Sequence, residues 1–206
     1  YMINLRGIIY VSLGASVMTP EYIGYVQQRA SSLCSSLIIC PLDVPERINI
    51  NIRKGLVESE AEKVVSCCSK KLVSSLTPTS DLDVKIVKYS DYASEKKFLE
   101  YKAGILGAYT QDKHFRAHCH SQTYRNLQPV INQMGVKSKN SPLVKRFAEY
   151  LLLELSLKLY VANENVADIE YAPYCEMGII ESIYAGKYQL LRPFCQRQLQ
   201  FIIINT

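Results

Sequence analysis

The stretch Gly7-Ile8-Ile9-Tyr10-Val11-Ser12-Leu13-Gly14-Ala15-Ser16 constrains the fold most. The apolar run from Ile8 to Val11 has no polar alternation, so it suits a strand covered on both faces. A small-residue turn follows at once. Then comes a helix start, with Thr19 as N-cap, Pro20 at N1 and Glu21 in the first turn. Tyr22, Tyr25, Val26, Arg29 and Leu33 continue at helical spacing. A buried strand running into a helix opens an α/β sheet and puts Ser12 at the carboxyl end of the first strand. Ligands of open α/β sheets bind at that edge. On this stretch alone, Ser12 is either the start of a loop or a nucleophile whose partners lie elsewhere.

The rest of the chain keeps the alternation. Ser36 to Pro41 reads as a second buried strand, with Asp43 near the same sheet edge as Ser12. Ile48-Asn49-Ile50-Asn51-Ile52 alternates and reads as a short strand or a loop. Gly55 to Leu76 reads as a helix with Ala61, Val64, Val65, Cys68, Leu72 and Val73 as its apolar stripe. Asp83 to Tyr89 alternates as a strand, and Asp91 is placed to cap a helix from Tyr92 to Tyr109. Phe115 to Asn126 is helical, with Leu127 to Met134 continuing it or standing apart around Pro129. Ser141 and Pro142 open a long helix to about Val161. Asp168 to Tyr171 is a strand, Gly178 to Tyr184 a short helix, and Phe201 to Ile204 a closing strand. The expected class is α/β with a mainly parallel sheet flanked by helices, in a single domain spanning residues 1–206.

Composition narrows the function classes. The chain is 48% hydrophobic and 21% charged, and its richest apolar run, Tyr150 to Val161, is short and carries Glu154 and Lys158. That excludes a bilayer-spanning segment of the usual length, and no secretory leader pattern is seen. Cys34, Cys40, Cys67, Cys68, Cys119, Cys175 and Cys195 form no CxxC pair and are odd in number, which suits free thiols in a cytoplasmic setting. His114 and His118 lie one turn apart, with Cys119 and His120 directly after them, but no carboxylate or second ligand cluster has matching spacing, so no metal is expected. The net charge of +5 permits a polyanionic partner without requiring one.

Tyr150 and Glu154 are the strongest pair in the chain. Four residues apart on one helix, they project from the same face among Leu151, Leu152, Leu153, Leu155, Leu157 and Leu159. A carboxylate in such surroundings is costly unless partnered. It either grips an amine with the phenol beside it, or pairs with Lys145, Arg146 or Lys158, or points to solvent.

The turn Val11-Ser12-Leu13-Gly14-Ala15-Ser16, followed far downstream by Glu149-Tyr150-Leu151-Leu152-Leu153-Glu154-Leu155, resembles the cyclodipeptide synthases. The strand Ile38-Ile39-Cys40-Pro41 with nearby Asp43 is similar to that family's second strand. The resemblance covers element order from about Gly7 to Phe201. It implies a Rossmann-like core related to class I aminoacyl-tRNA synthetases, no cofactor and no ATP. It also implies two aminoacyl-tRNAs as substrates and a cyclic dipeptide as product. Ser12 would carry the aminoacyl and dipeptidyl esters, while Tyr150 and Glu154 would hold the first amine. Tyr171 would serve the cyclisation, with Tyr174 as its rival. Gly14 and Ala15 would bind substrate at the turn, and Ile39, Cys40 and Leu157, from their places on the second strand and the long helix, would line the first aminoacyl pocket. Arg53, Lys54, Lys63, Lys70 and Lys71 would meet tRNA phosphates on one face, and Lys137, Lys139, Lys145 and Arg146 on another. Those cations equally suit a solvated surface. The residue two before the serine, usually Gly in the family, is Tyr10 here, which implies a reshaped aminoacyl pocket.

No histidine is visibly placed to activate Ser12, so substrate-assisted proton transfer is the implied substitute. Two other functions fit parts of the pattern. Ser12, Asp43 and His118 or His120 occur in the chain order of an α/β serine hydrolase. The first turn also suits a non-catalytic nucleotide- or RNA-binding domain.

Overall fold

The computed structural model describes residues 4–13, 18–76, 82–173 and 178–204. Among these residues five strands form one sheet: β1 (Leu5–Val11), β2 (Cys34–Pro41), β3 (Asp83–Ile86), β4 (Ile169–Ala172) and β5 (Gln200–Ile203). Their spatial order is β3-β2-β1-β4-β5, and each neighbouring pair runs parallel. The chain therefore builds outward from β1 to β3, returns across the sheet, and builds outward again from β4 to β5. The order reverses between β1 and β4. In an α/β sheet such a reversal opens a crevice at the carboxyl ends of the two strands.

Helices cover both faces, which is why β1 reads as a continuous apolar run. Ile9 and Val11 face one layer, with α1 (Pro20–Ser31) and Leu72 of α3 (Glu58–Ser75). Ile8 and Tyr10 face the other, with α5 (Lys96–Gln111), α6 (Lys113–Asn126), α8 (Pro142–Asn163) and α9 (Gly178–Tyr184). Between these lie α2 (Asp43–Lys54), the one-turn α4 (Tyr89–Tyr92), the short α7 (Gln128–Gln133) and a 3-10 turn at Gln189–Phe194. Among the described residues no helix is long and apolar enough to cross a membrane.

The central helix α8 begins where its sequence says it should. Ser141 caps it by accepting from the Val144 N–H at 3.2 Å, and Pro142 occupies the first turn, where its missing N–H costs nothing. Leu152, Leu155, Leu157 and Leu159 are buried along it. Each contributes roughly 1.5–3 kcal/mol of hydrophobic stabilisation.

Several elements differ from expectation. Ile48 to Ile52 is neither strand nor loop but the second half of α2, whose buried face is Asp43, Pro45, Glu46, Ile50 and Ile52. Packing of α2 between α3 and α8 overrides the local alternation. Asp91 does not start a long helix. Its carboxylate accepts from the Lys88 N–H at 2.8 Å and closes the single turn of α4, and α5 begins afresh after Glu95. On α1, Tyr25 is exposed and the buried stripe is Tyr22, Ile23, Val26, Gln27 and Ala30; Leu33 lies beyond the helix and is exposed. The cysteines described, Cys34, Cys40, Cys67, Cys68, Cys119 and Cys195, are free thiols; Cys175 lies outside the described residues.

Asp168 ties the centre of the sheet together from the residue before β4. Its carboxylate accepts from the Arg6 backbone N–H at 2.9 Å, from the Arg6 guanidinium at 3.1 Å, and from Arg197. Partial burial pushes its pKa up, but hydrogen bonds from Arg6 and Arg197 outweigh that and hold it below the usual aspartate value. A folded-state pKa below the unfolded one adds stability above the unfolded value, and that stability disappears as pH falls through the folded value. Stability should therefore decline as pH drops below about 4. Asp168→Asn should cost roughly 1–2 kcal/mol at neutral pH and flatten that acid limb, as read by urea denaturation at several pH values.

Candidate active site

The crevice at the sheet reversal is a cavity of about 290 Å³. Ser12 enters it from the residue after β1, Tyr10 from β1, and Glu170 to Pro173 from the end of β4. Glu46, Asn49 and Arg53 line it from α2, and Thr123 and Asn126 from α6. Tyr150, Leu151, Glu154 and Lys158 line it from successive turns of α8. Strand alternation explains the first set: Tyr10 and Ser12 are two apart, so both face the α8 layer, and Glu170 faces it from β4.

Two contacts organise the polar groups. The Ser12 hydroxyl donates to Glu46 Oε2 at 2.8 Å, and Glu46 is only 1% exposed. Deeper in, the Lys158 ammonium lies 3.1 Å from Glu154 Oε1 and 2.9 Å from Glu170 Oε1, and 5.4 Å from the centre of the Tyr10 ring. Burial pulls the Lys158 pKa down, yet Glu170 and Glu154 overcome it, so the amine stays charged. Glu170 is held above the usual glutamate value, first by burial and then by Glu154, against the pull of Lys158. Burial, with Glu170 nearby, also raises the Tyr10 phenol. Two carboxylates around one ammonium leave the base of the cavity with a formal surplus of negative charge.

The structure thus brings together Ser12, Tyr150 and Glu154 on one cavity, from elements more than a hundred residues apart. It brings Glu154 into a pair with Lys158, one of the partners open to it from sequence. It does not bring the Tyr171 hydroxyl there. Tyr171 contributes to the cavity wall, but its phenol oxygen lies 3.4 Å from Cys34 Sγ in the α1 layer, and its ring sits over Gly7. Alternation along β4 gives the cavity side to Glu170 instead. A side chain at Gly7 would meet the Tyr171 ring at 2.8 Å, so a glycine is needed at that approach. Tyr174, Gly14 and Ala15 lie outside the described residues.

The expected pocket walls need correction too. Ile39 is buried in the α1 layer, on the far side of the sheet. Cys40 and Leu157 are buried in the α8 layer but packed into the core rather than onto the cavity. Sequence reading missed Glu46 and Glu170, and offered Lys158 as one of three partners of Glu154. The i, i+4 spacing of Glu154 and Lys158 was the available signal for that pair; Glu46 and Glu170 are near in space only.

The histidines do not serve Ser12. His118 Nδ1 bonds the Tyr188 hydroxyl, His120 Nε2 bonds the Tyr109 hydroxyl at 2.6 Å, and the Asp43 carboxylate accepts from the Ser90 N–H at 3.0 Å. The hydrolase triad is therefore not assembled. Among the described residues no cluster of three or more His, Cys, Asp or Glu side chains is placed to hold a metal. Arg53 lines the cavity from the last turn of α2, with Lys54 exposed beside it. Arg146 donates to Asn51 Oδ1 at 2.7 Å, which sets it and Lys145, on the first turn of α8, near the same end of α2. Lys63, Lys70 and Lys71 share an exposed face of α3 with Glu62, which pairs with Arg47 at 3.1 Å.

Comparison with solved structures agrees on the fold over nearly the whole chain. A cyclodipeptide synthase from Fluoribacter dumoffii superposes with a TM-score of 0.78 at 15% identity, covering 97% of this chain and 88% of that one. One from Staphylococcus haemolyticus gives 0.73 at 16%, covering 98% and 91%. The chain has the cyclodipeptide synthase fold. A cyclodipeptide synthase from Candidatus Glomeribacter gigasporarum, solved bound to Phe-tRNAPhe, shares that fold with a TM-score of 0.67 at 15% identity, covering 99% and 89%. No protein-family model and no curated sequence matches the chain. Within the cyclodipeptide synthase fold, the switch-point cavity of this chain is the one lined by Ser12, Tyr150 and Glu154.

Removing Lys158 should leave two buried carboxylates facing each other. Lys158→Met is expected to cost about 3 kcal/mol or more in chemical denaturation. Adding Glu170→Gln to that variant should restore much of the loss, because it removes one of the stranded charges.

Proposed function

We propose that the chain is a cyclodipeptide synthase that joins the aminoacyl groups of two aminoacyl-tRNAs into a cyclic dipeptide. The observation that carries this reading is the convergence of a hydroxyl nucleophile, a buried acceptor for its proton, and a phenol–carboxylate pair on one cavity at the sheet reversal. An aminoacyl ester is already activated, so acyl transfer needs a positioned nucleophile and no energy source.

In the first step Ser12 Oγ attacks the ester carbonyl carbon of one aminoacyl-tRNA. Its proton passes to Glu46 Oε2, 2.8 Å away, and then to the ribose oxygen that leaves as the carbonyl–oxygen bond breaks. The aminoacyl group is now an ester on Ser12. Tyr150 and Glu154 hold its ammonium; Glu154 first takes one proton from it and passes that proton to solvent, which frees the lone pair, and takes a second when the amine attacks the ester carbonyl of the second aminoacyl-tRNA. This second proton goes to the second departing ribose oxygen, leaving a dipeptidyl ester on Ser12. Its free amine then attacks the Ser12 ester carbonyl, closing the ring and returning a proton to Oγ. Tyr171 takes no part in the proton transfers, because its hydroxyl contacts Cys34 on the other side of the sheet.

The residues act as one catalytic domain, with no cofactor. The tRNA acceptor ends approach across the end of α2 and the start of α8, where Arg53, Lys54, Lys145 and Arg146 offer phosphate contacts, and Lys63, Lys70 and Lys71 extend the basic surface along α3. Such contacts make substrate binding weaken steeply with salt. Charged tRNA places the reaction in the cytoplasm.

Purified protein given a mixed pool of charged tRNAs should release cyclic dipeptides detectable by mass spectrometry. Ser12→Ala should abolish them. Glu46→Gln and Glu154→Gln, which keep shape but not basicity, should lower the rate about 10²- to 10⁴-fold. Undiminished product from Ser12→Ala, or none from the folded wild type with the full pool, would sink the proposal.

A further inference from the structure

The cavity holds more polar atoms than its own residues satisfy. Glu170 Oε2, the Tyr10 hydroxyl, the Thr123 hydroxyl and Asn49 Oδ1 are each buried without a hydrogen-bond partner, and all four residues line this cavity. Glu170, Thr123 and Tyr10 are 3%, 4% and 6% exposed. A buried polar atom left unpaired costs free energy comparable to a lost hydrogen bond, so native proteins rarely keep several together without a ligand or ordered water to meet them. The other members of that set, on Tyr22, Arg47, Ser69 and Tyr89, belong to residues that do not line the cavity.

We propose that this site selects an aminoacyl group whose side chain ends in an uncharged hydrogen-bonding group: a hydroxyl, a carboxamide or an imidazole. This deepens the synthase reading and rests on it. The charge balance argues against a cationic side chain. Lys158 neutralises Glu170, in the proposed mechanism the substrate amine neutralises Glu154, and Glu46 is taken up by the Ser12 hydroxyl with Arg53 lining the same cavity, so a second cation would find little unmatched counter-charge. An anionic side chain would meet the two carboxylates directly. What remains unmet are hydrogen bonds. Glu170 Oε2 and Asn49 Oδ1 accept from a donor, and the Tyr10 and Thr123 hydroxyls donate or accept. Phe147 and Leu151 supply apolar wall for the stem of such a side chain. A site built this way discriminates asymmetrically. It rejects an apolar isostere strongly, because that isostere leaves the buried groups unpaired.

The test uses the full chain and charged tRNAs in near-isosteric pairs: threonyl against valyl, tyrosyl against phenylalanyl, and glutaminyl against methionyl. Each pair competes in one reaction, and the cyclic dipeptides are quantified by mass spectrometry. The expected result is that the polar member of at least one pair is incorporated more than about tenfold over its apolar partner. Tyr10→Phe, which removes one hydroxyl at nearly constant volume, should reduce that ratio several-fold while cyclic dipeptide is still made. Cyclic dipeptides built from the apolar members overturn this inference and leave the synthase reading standing; they would mean that water meets the buried groups. A polar preference unchanged in both Tyr10→Phe and Thr123→Val also overturns it. No cyclic dipeptide from any charged tRNA overturns the synthase reading, and this inference with it.

Discussion

An ammonium cannot be buried without counter-charge, and Lys158 finds its counter-charge in two different parts of the fold. Glu154 lies one turn back on α8 and Glu170 on β4. The cost of desolvating all three groups is large, and their mutual attraction offsets it only when the geometry is right. The contact therefore does little as a source of net stability and much as a constraint on position. It fixes which turn of α8 stands over β4, and so holds Tyr150 and Glu154 at the carboxyl edge of the sheet. It also sets the field there. One ammonium between two carboxylates makes the base of the cavity receptive to an amine, which is the group each step of the proposed chemistry must hold or deprotonate.

The strand order supplies the space that this constraint organises. Because the chain builds outward in opposite directions from β1 and β4, their connections leave on opposite sides and the crevice between them stays open. Ser12 sits at the end of the more central of the two strands, and α2 brings Glu46 beneath it. The serine thus gains a carboxylate partner rather than a histidine. Such a pair suits an ester that is already activated, because the leaving ribose oxygen can take the proton back in the same step.

Much of this was legible in the chain. The Ile8–Val11 run announced a two-sided strand, Thr19-Pro20 and Ser141-Pro142 announced helix starts, and the four-residue spacing of Tyr150 and Glu154 announced a shared face. These signals are local, and local rules hold where one element decides its own outcome. The misreadings fall where tertiary contact decides. Ile48 to Ile52 alternates like a strand, but α3 and α8 both pack on it as helix. Glu46 and Glu170 look like ordinary polar residues until α2 and β4 are brought to the crevice. Tyr171 stood at the expected place along the chain, yet a strand presents successive side chains to opposite faces, and its phenol turns to Cys34. Ile39 was lost to the same parity, facing α1 rather than the cavity. A shift of one residue along a strand exchanges the two sides of a sheet.

The central claim is that Ser12 becomes covalently acylated by an aminoacyl-tRNA. Intact-protein mass spectrometry after rapid mixing with a single charged tRNA, followed by acid quench and peptide mapping, tests it most directly. The account predicts a mass gain of one aminoacyl residue, carried by the peptide containing Ser12 and labile to mild base as an ester should be. An unchanged mass in the presence of product formation, or an aminoacyl group mapped to another residue, would contradict it.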